Sequence, residues 1–260
     1  MVTGATEALL LLLNWDGSRL QWAVEQSGRC LSAGEEMAVG AEQALEAIQS
    51  LQGKGLRADE VLWSNRHPNF CLVPDLVDGE AAFALEHGLV SGQGALRCSK
   101  SNRFGDPLAC WEQSHEVVES AVLKAWPMTR IVSGTMATLE AMARREMNEQ
   151  RSVVYLDVSP GRSFWARWNA GQLRGAMASG ERIGENMLYQ IANALHRDGT
   201  DPSETELVVS GEDLAQTLEL FGRFFKSVSE LDPFRPWGNE EMKLKEARWA
   251  SLWNLALCAL

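Results

Sequence analysis

The sequence predicts a mixed α/β protein in which one folding unit occurs twice. Three features predict it: a three-strand meander near the N-terminus, a second one past the midpoint, and the same succession of helix and strand after each. The meanders align without gaps. Leu13 falls on Leu156, Arg19 on Arg162, Trp22 on Trp165, Ala23 on Ala166 and Gly28 on Gly171, all at one offset, 165 minus 22 or 143. Glycine turns and alternating aromatic residues also recur in unrelated meanders, so the repeated element order is what argues for duplication.

The first meander reads as strands over Leu9–Asn14, Arg19–Gln26 and Arg29–Met37, joined at Asp16-Gly17-Ser18 and Ser27-Gly28. Helical spacing of Ala41, Ala44, Leu45, Ile48 and Leu51 follows, and Gly53 and Gly55 end it. Short strands are predicted at Val61–Trp63 and Phe70–Val73, then a helix near Glu80–Glu86. Strands at Ala95–Cys98 and Leu108–Trp111 flank the turn-rich Ser101–Pro107 as a hairpin. Ser114 reads as the N-cap of a helix through Ala125 that Pro127 stops, before a strand at Ile131-Val132 and a helix over Thr135–Met147.

The pattern then restarts with strands at Val153–Asp157, Phe164–Trp168 and Leu173–Ala178, a helix over Ile183–Leu195 and a strand at Glu206–Val209. A helix over Leu214–Phe225, a link holding Pro233 and Pro236, and a final helix from about Glu240 complete the chain. Trp249, Leu252, Trp253, Ala256 and Leu260 share one stripe of that helix, as expected of a helix docked on a core. The predicted domains are residues 1–149, with an inserted hairpin region near 70–113, and residues 150–260 with the C-terminal helix.

Composition narrows the function. The 260 residues are 45% hydrophobic and 23% charged, near the average for globular chains. A net charge of −11 disfavours nucleic acid and anionic membrane surfaces as partners. Cys30, Cys71, Cys98, Cys110 and Cys258 are odd in number and lack C-x-x-C spacing, which supports neither a disulfide framework nor a metal site and suits a reducing cytoplasm. The apolar run Ala8–Leu13 lacks a basic flank, and no stretch approaches the ~18 apolar residues of a membrane span.

Common catalytic signatures are missing: G-x-S-x-G, H-E-x-x-H and the P-loop pattern do not occur. His67, His87, His115 and His196 are scattered and read as structural or surface residues. Glu112, Glu116 and Glu119 are placed on one helix face, where a solvated surface is the commoner outcome than acid–base chemistry. Trp22 and Trp165 read as core filling.

Two successive units of meander, helix, strand and helix resemble the superfamily of sugar kinases, heat-shock chaperones, actin and bacterial pilus-assembly ATPases, whose lobes are ribonuclease H-like. More closely, the segments Phe70-Cys71-Leu72-Val73-Pro74, Val132–Leu139 and Leu207–Glu212 resemble an uncharacterised bacterial family found chiefly in Bacteroidetes, over nearly the whole chain. The resemblance implies an actin-like ATPase fold with ATP and magnesium between the lobes. It also implies phosphate cradled by the turn after each lobe's first strand, and an Asp at the end of each of those strands. The matching positions are Asn14 and Asp157, with Asp16 placed to replace the missing carboxylate, Gly161 in the second turn, and Gly211 in the adenosine-side motif.

Each of the three contacts departs from the pattern, although the second keeps its Asp. Asn14 is neutral, Pro160 lacks an N–H, and Glu212 brings a carboxylate towards phosphate. For Asp157, capping the following turn is weighed against metal coordination; for Arg162, a structural role shared with Arg19 is weighed against a phosphate contact. The expectation is a cytoplasmic scaffold or regulatory protein without ATPase activity, acting through a protein partner. The rivals are a working ATPase or small-molecule kinase using Asp157 and Asp16, and a metabolite sensor.

Overall fold

The computed structural model describes residues 8–56, 58–66, 69–74, 79, 95–160, 162–180, 183–232 and 246–258. The predicted helix near Glu80–Glu86 and the link holding Pro233 and Pro236 lie outside them. In chain order the first half comprises β1 (Leu9–Trp15), β2 (Arg19–Gln26), β3 (Arg29–Met37), α1 (Gly40–Gly53), β4 (Glu60–Asn65) and β5 (Phe70–Pro74). It continues with β6 (Leu96–Phe104), β7 (Asp106–Gln113), α2 (Glu116–Ala125), β8 (Thr129–Ser133) and α3 (Gly134–Glu146). The second half holds β9 (Ser152–Ser159), β10 (Arg162–Asn169), β11 (Gln172–Ser179), α4 (Glu185–Arg197), β12 (Glu206–Gly211), α5 (Leu214–Phe221), β13 (Ser227–Glu230) and α6 (Ala250–Ala256).

These strands form two five-stranded sheets, ordered β3-β2-β1-β4-β8 and β11-β10-β9-β12-β13, and a three-stranded sheet ordered β5-β7-β6. The two large sheets match in finer detail than order. Trp22 pairs with Leu13 and Gly34, while Trp165 pairs with Leu156 and Met177, each residue 143 positions after its counterpart. Both meanders bulge at the same place, between Val24 and Glu25 and between Arg167 and Trp168. Both second turns have two positive-φ residues, Ser27 (51°) with Gly28 (77°) and Ala170 (49°) with Gly171 (75°), the turn whose twist suits a two-residue hairpin.

Each sheet has one face covered by its own helices. Ile48 and Leu51 of α1 and Val118 and Val122 of α2 pack on Leu11, Leu13 and Trp63; Met187, Ile191 and Leu195 of α4, with Phe221, pack on Leu156, Leu207 and Val209. The opposite faces are covered by α6 and α3. Leu252, Trp253, Leu255 and Ala256 sit on Leu12, Ala23 and Leu62 of the first sheet, and Leu139 and Met142 join Val153, Tyr155 and Trp168 of the second. Burial of β1 on both faces accounts for its unbroken apolar run.

Some expectations need correction. α2 starts after His115 rather than at Ser114, and no side chain caps it. Glu112 lies in β7, not on a helix face with Glu116 and Glu119. The hairpin strands run on to Phe104 and from Asp106, so the turn shrinks to Gly105, whose φ of 89° favours glycine. α5 ends at Phe221, short of Phe225, and β13 follows where no strand was expected. The final helix is described as a 3-10 turn over Glu246–Trp249 leading into α6.

Candidate functional site

The parallel strands at the centre of each large sheet end in matched polar pairs. Ser64 at the end of β4 donates its Oγ hydrogen to Asn14 Oδ1 at 2.8 Å, and Ser210 at the end of β12 donates to Asp157 Oδ1 at 2.6 Å. Asn14 is therefore occupied within its own sheet. Asp157 has a second oxygen free to face the other lobe, and it pairs there with Arg66 Nη1. Both of its carboxylate oxygens are engaged, one by Ser210 and one by Arg66.

Arg66 follows β4 and reaches further. Its Nη2 donates to Thr138 Oγ1 of α3 and Ser251 Oγ of α6, both at 3.0 Å, and its guanidinium lies 5.1 Å from the Phe164 ring centroid. One cation thereby fastens the end of the first sheet to β9, β10, α3 and α6.

The turns after β1 and β9 also meet directly. Asp16 Oδ1 accepts from the backbone N–H groups of Ser18 and Arg19, each at 2.9 Å, which are donors a phosphate would need. Ser18 Oγ donates to the Pro160 carbonyl at 2.9 Å, across to the other turn. Arg162 Nη1 donates back to the Asp16 carbonyl at 2.8 Å and the Arg66 carbonyl at 3.5 Å. Its guanidinium lies against Gly17, where an added Cβ would come within 2.4 Å of it, so a larger residue, already disfavoured by the φ of 88°, would have to push the arginine aside. Burial pulls the Arg162 pKa below its usual value, with Asp16 opposing the shift.

Arg19, the counterpart of Arg162, crosses in the other direction. It is 4% exposed and pairs with Glu212 of the second lobe, with Asp16 at 3.6 Å and with Glu35 at 3.5 Å. Arg248 closes the group by pairing with Glu35 and, at 3.4 Å, with Glu212. What remains between Asp16, Arg66, Asp157, Ser159, Arg162 and Phe164 is a cavity of ≈ 20 Å³. That is room for about one water, against several hundred Å³ for a small-molecule site.

Compared with known protein families and with curated proteins, the sequence matches none. Among solved structures, the chain is similar to a protein of Bacteroides thetaiotaomicron with an actin-like ATPase fold and unknown function, at 12% identity and a TM-score of 0.71 over 91% of this chain and 95% of that one. It is also similar to the PilM–PilN type IV pilus biogenesis complex, at 12% identity and a TM-score of 0.70 over 96% and 98% of the two chains. A third similarity is to the cytoplasmic domain of EpsL, an inner membrane component of the Vibrio cholerae type II secretion system, at 10% identity and a TM-score of 0.51 over 96% and 95%.

The chain has the actin-like ATPase fold.

An actin-like ATPase fold implies a magnesium nucleotide between its lobes, and the residues here do not fit one. The cavity between the turns is too small for a phosphate chain, Asp16 takes two turn donors, and Arg66 and Arg162 stand between the turns where phosphate would lie. Of the residues expected to contact it, Asp16 and Asp157 line the same cavity, and Asn14 sits beside Ser64. Gly161 is outside the described residues. Gly211 faces β9 instead: a Cβ there would lie 2.0 Å from the Val158 carbonyl oxygen, and the next N–H, of Glu212, bonds that oxygen at 2.8 Å. Gly211 also borders a separate surface hollow with Glu212 and Arg248.

Arg66 was not legible as a site residue, because nothing in Asn65-Arg66-His67-Pro68 marks it. The pairing of Arg19 with Arg162 was the available signal, and both side chains do reach across the cleft.

A second polar cluster lies under the three-stranded sheet. Arg97 of β6 pairs with Glu119 and approaches Glu112 at 3.9 Å, while Ser133 Oγ donates to Glu112 Oε2 at 3.0 Å and Asn65 Nδ2 to Glu119 Oε1 at 3.2 Å. Desolvation dominates at Glu112 and raises its pKa from 4.5 to about 7, although Ser133 and Arg97 pull the other way. Above pH 4.5 the unfolded chain releases this proton while the folded chain keeps it until about pH 7, so this group makes stability fall as pH rises through that window. The loss is on the order of 3 kcal/mol. Glu112→Gln, which keeps an acceptor for Ser133, is expected to flatten this slope and to melt above the wild type at pH 8. Melting curves at several pH values check it.

Proposed function

We propose that this chain is an adaptor of actin-like fold that does not hydrolyse ATP, whose lobes are held together by its own arginines and which acts in the cytoplasm by binding a protein partner. The observation that carries this reading is the cleft itself, where Arg66 and Arg162 span the two turns and leave ≈ 20 Å³. The likeness to a pilus biogenesis complex and to the cytoplasmic domain of a secretion-system component supports a role in protein assembly. The shared registers, bulge and turn support an origin by internal duplication, with lobes at residues 1–149 and 150–260. The ordered segments around Phe70, Val132 and Leu207, with the likeness to the Bacteroides protein, support kinship with the bacterial family of unestablished activity.

Calorimetric titration with ATP, with and without magnesium, tests the proposal. The expected outcome is no binding heat at millimolar ATP. Micromolar, magnesium-dependent binding would overturn it and restore the ATPase or kinase reading, with Asp157 and Asp16 as the residues to mutate.

A further inference from the structure

Resting on the adaptor reading, we infer that the partner docks as an extended, acidic-and-apolar segment laid along the free edge of β11, between the second lobe and the three-stranded sheet.

Two hollows that share Leu173 and Arg174 make up this groove. One, of ≈ 400 Å³, runs between β5 and β11 and is lined by Phe70, Leu72 and Leu108 on one side and Leu173, Gly175 and Ala176 on the other. The second, of ≈ 960 Å³, continues between the tip of the β6–β7 hairpin, the end of α3 and the β10–β11 turn. It is lined by Arg103, Arg144 and Arg174 against a single Asp106; Arg103 and Arg174 are exposed, whereas Arg144 is half-buried and donates to the Leu257 carbonyl at 3.4 Å. In a chain of net charge −11 that is a local excess of positive charge. Arg103 is only loosely paired, with Glu140 at 3.7 Å, and Arg174 has no ion-pair partner among the described residues.

The backbone supplies the second half of the argument. Among the described residues β11 pairs with β10 alone and β5 with β7 alone, so among these residues the two strands border the groove with unpaired edges. Beyond its bulge at Arg174, β11 offers only small residues and Met177 along this edge, Gly175, Ala176 and Ala178, with no proline or charge among them. An added strand would satisfy its free N–H and C=O groups, and alternate side chains would drop into the apolar end or meet the arginines. β3, the equivalent edge of the first sheet, is different: Glu35 and Glu36 lie on it and are engaged by Arg248 and Lys54. The overall negative charge disfavours nucleic acid as the occupant, and the apolar end favours a peptide over a simple anion.

The test is fluorescence anisotropy of a labelled synthetic peptide of alternating Glu and Leu on the full chain. Binding is expected, weakened about tenfold by the exposed double change Arg103→Glu with Arg174→Glu, and lost when Glu is replaced by Lys or when alternate peptide amides are N-methylated. Matching melting curves establish that the variant folds. Equal binding of the Lys peptide, indifference to the arginine changes or to N-methylation, or no binding at millimolar peptide would overturn the inference. So would concentration-dependent self-association abolished by the double change, which would give the groove to a second copy. ATP titrated in parallel separates the two readings: ATP binding with peptide binding sinks the nucleotide-independent adaptor and keeps the groove, whereas neither binding sinks the groove alone.

Discussion

Arg66→Met is expected to lower stability by about 3–5 kcal/mol, because it strands the Asp157 carboxylate in a buried cleft without its cation. The side chains are 12% and 6% exposed, so solvent offers little compensation. Methionine preserves most of the volume against Phe164, which confines the loss to charge and hydrogen bonding. Three fasteners go together, since the same guanidinium also serves Thr138 and Ser251. Adding Asp157→Asn should restore part of the loss: the uncompensated charge disappears, and the new amide still offers an oxygen to Ser210. Urea denaturation of the two single variants and the double variant measures the coupling. A cost below about 1 kcal/mol for Arg66→Met, the scale of an exposed ion pair, would show that the cleft is open to solvent and undo the account of the lobes as fastened.

Gly211→Ala is the second large effect, at about 3–5 kcal/mol. Two penalties combine at this position. Its φ of 93° is strained for any L side chain, and the new Cβ would meet Val158 at 2.0 Å from the oxygen and 2.8 Å from the carbonyl carbon and the nitrogen. All three are backbone atoms in the adjacent central strand, so the clash is relieved only by separating β9 from β12. Gly55→Ala is the matched comparison, because Gly55 has a φ of 66° and nothing within 4 Å of an added Cβ. That substitution should cost about 1–2 kcal/mol, the conformational penalty by itself. Chemical denaturation of both variants checks the difference. Equal losses would mean that the close approach of the two strands contributes nothing, and that Gly211 is required for its backbone angle alone.

The sequence disclosed whatever repeats over a few residues. The meanders were legible because alternation, glycine turns and a constant offset are local, and the ladders pair Trp22 and Trp165 in equivalent registers. Boundaries failed where local signals were weak or misleading. Asn102, Gly105, Asp106 and Pro107 resemble one long turn, yet strand pairing runs to Phe104 and resumes at Asp106. β13 is four residues long and mostly polar, so nothing distinguished it from a link until β12 supplied a parallel partner. The cleft was least legible of all. Arg66 finds its partners 91, 72 and 185 residues away, and only the folded arrangement brings them to one place. Loss of the phosphate cradle could be read from Asn14 and Pro160, but not what had come to stand there.

The crossing of Arg19 and Arg162 has a consequence for how the molecule comes apart. Each half donates one arginine to the other, Arg19 to Glu212 and Arg162 to the Asp16 carbonyl, so each cation has an acceptor in the opposite half. A half standing alone would carry a guanidinium without that acceptor, and swinging the halves apart exposes both at once. The interface therefore opposes partial opening from either side, and a single melting transition shared by both halves is the expected result.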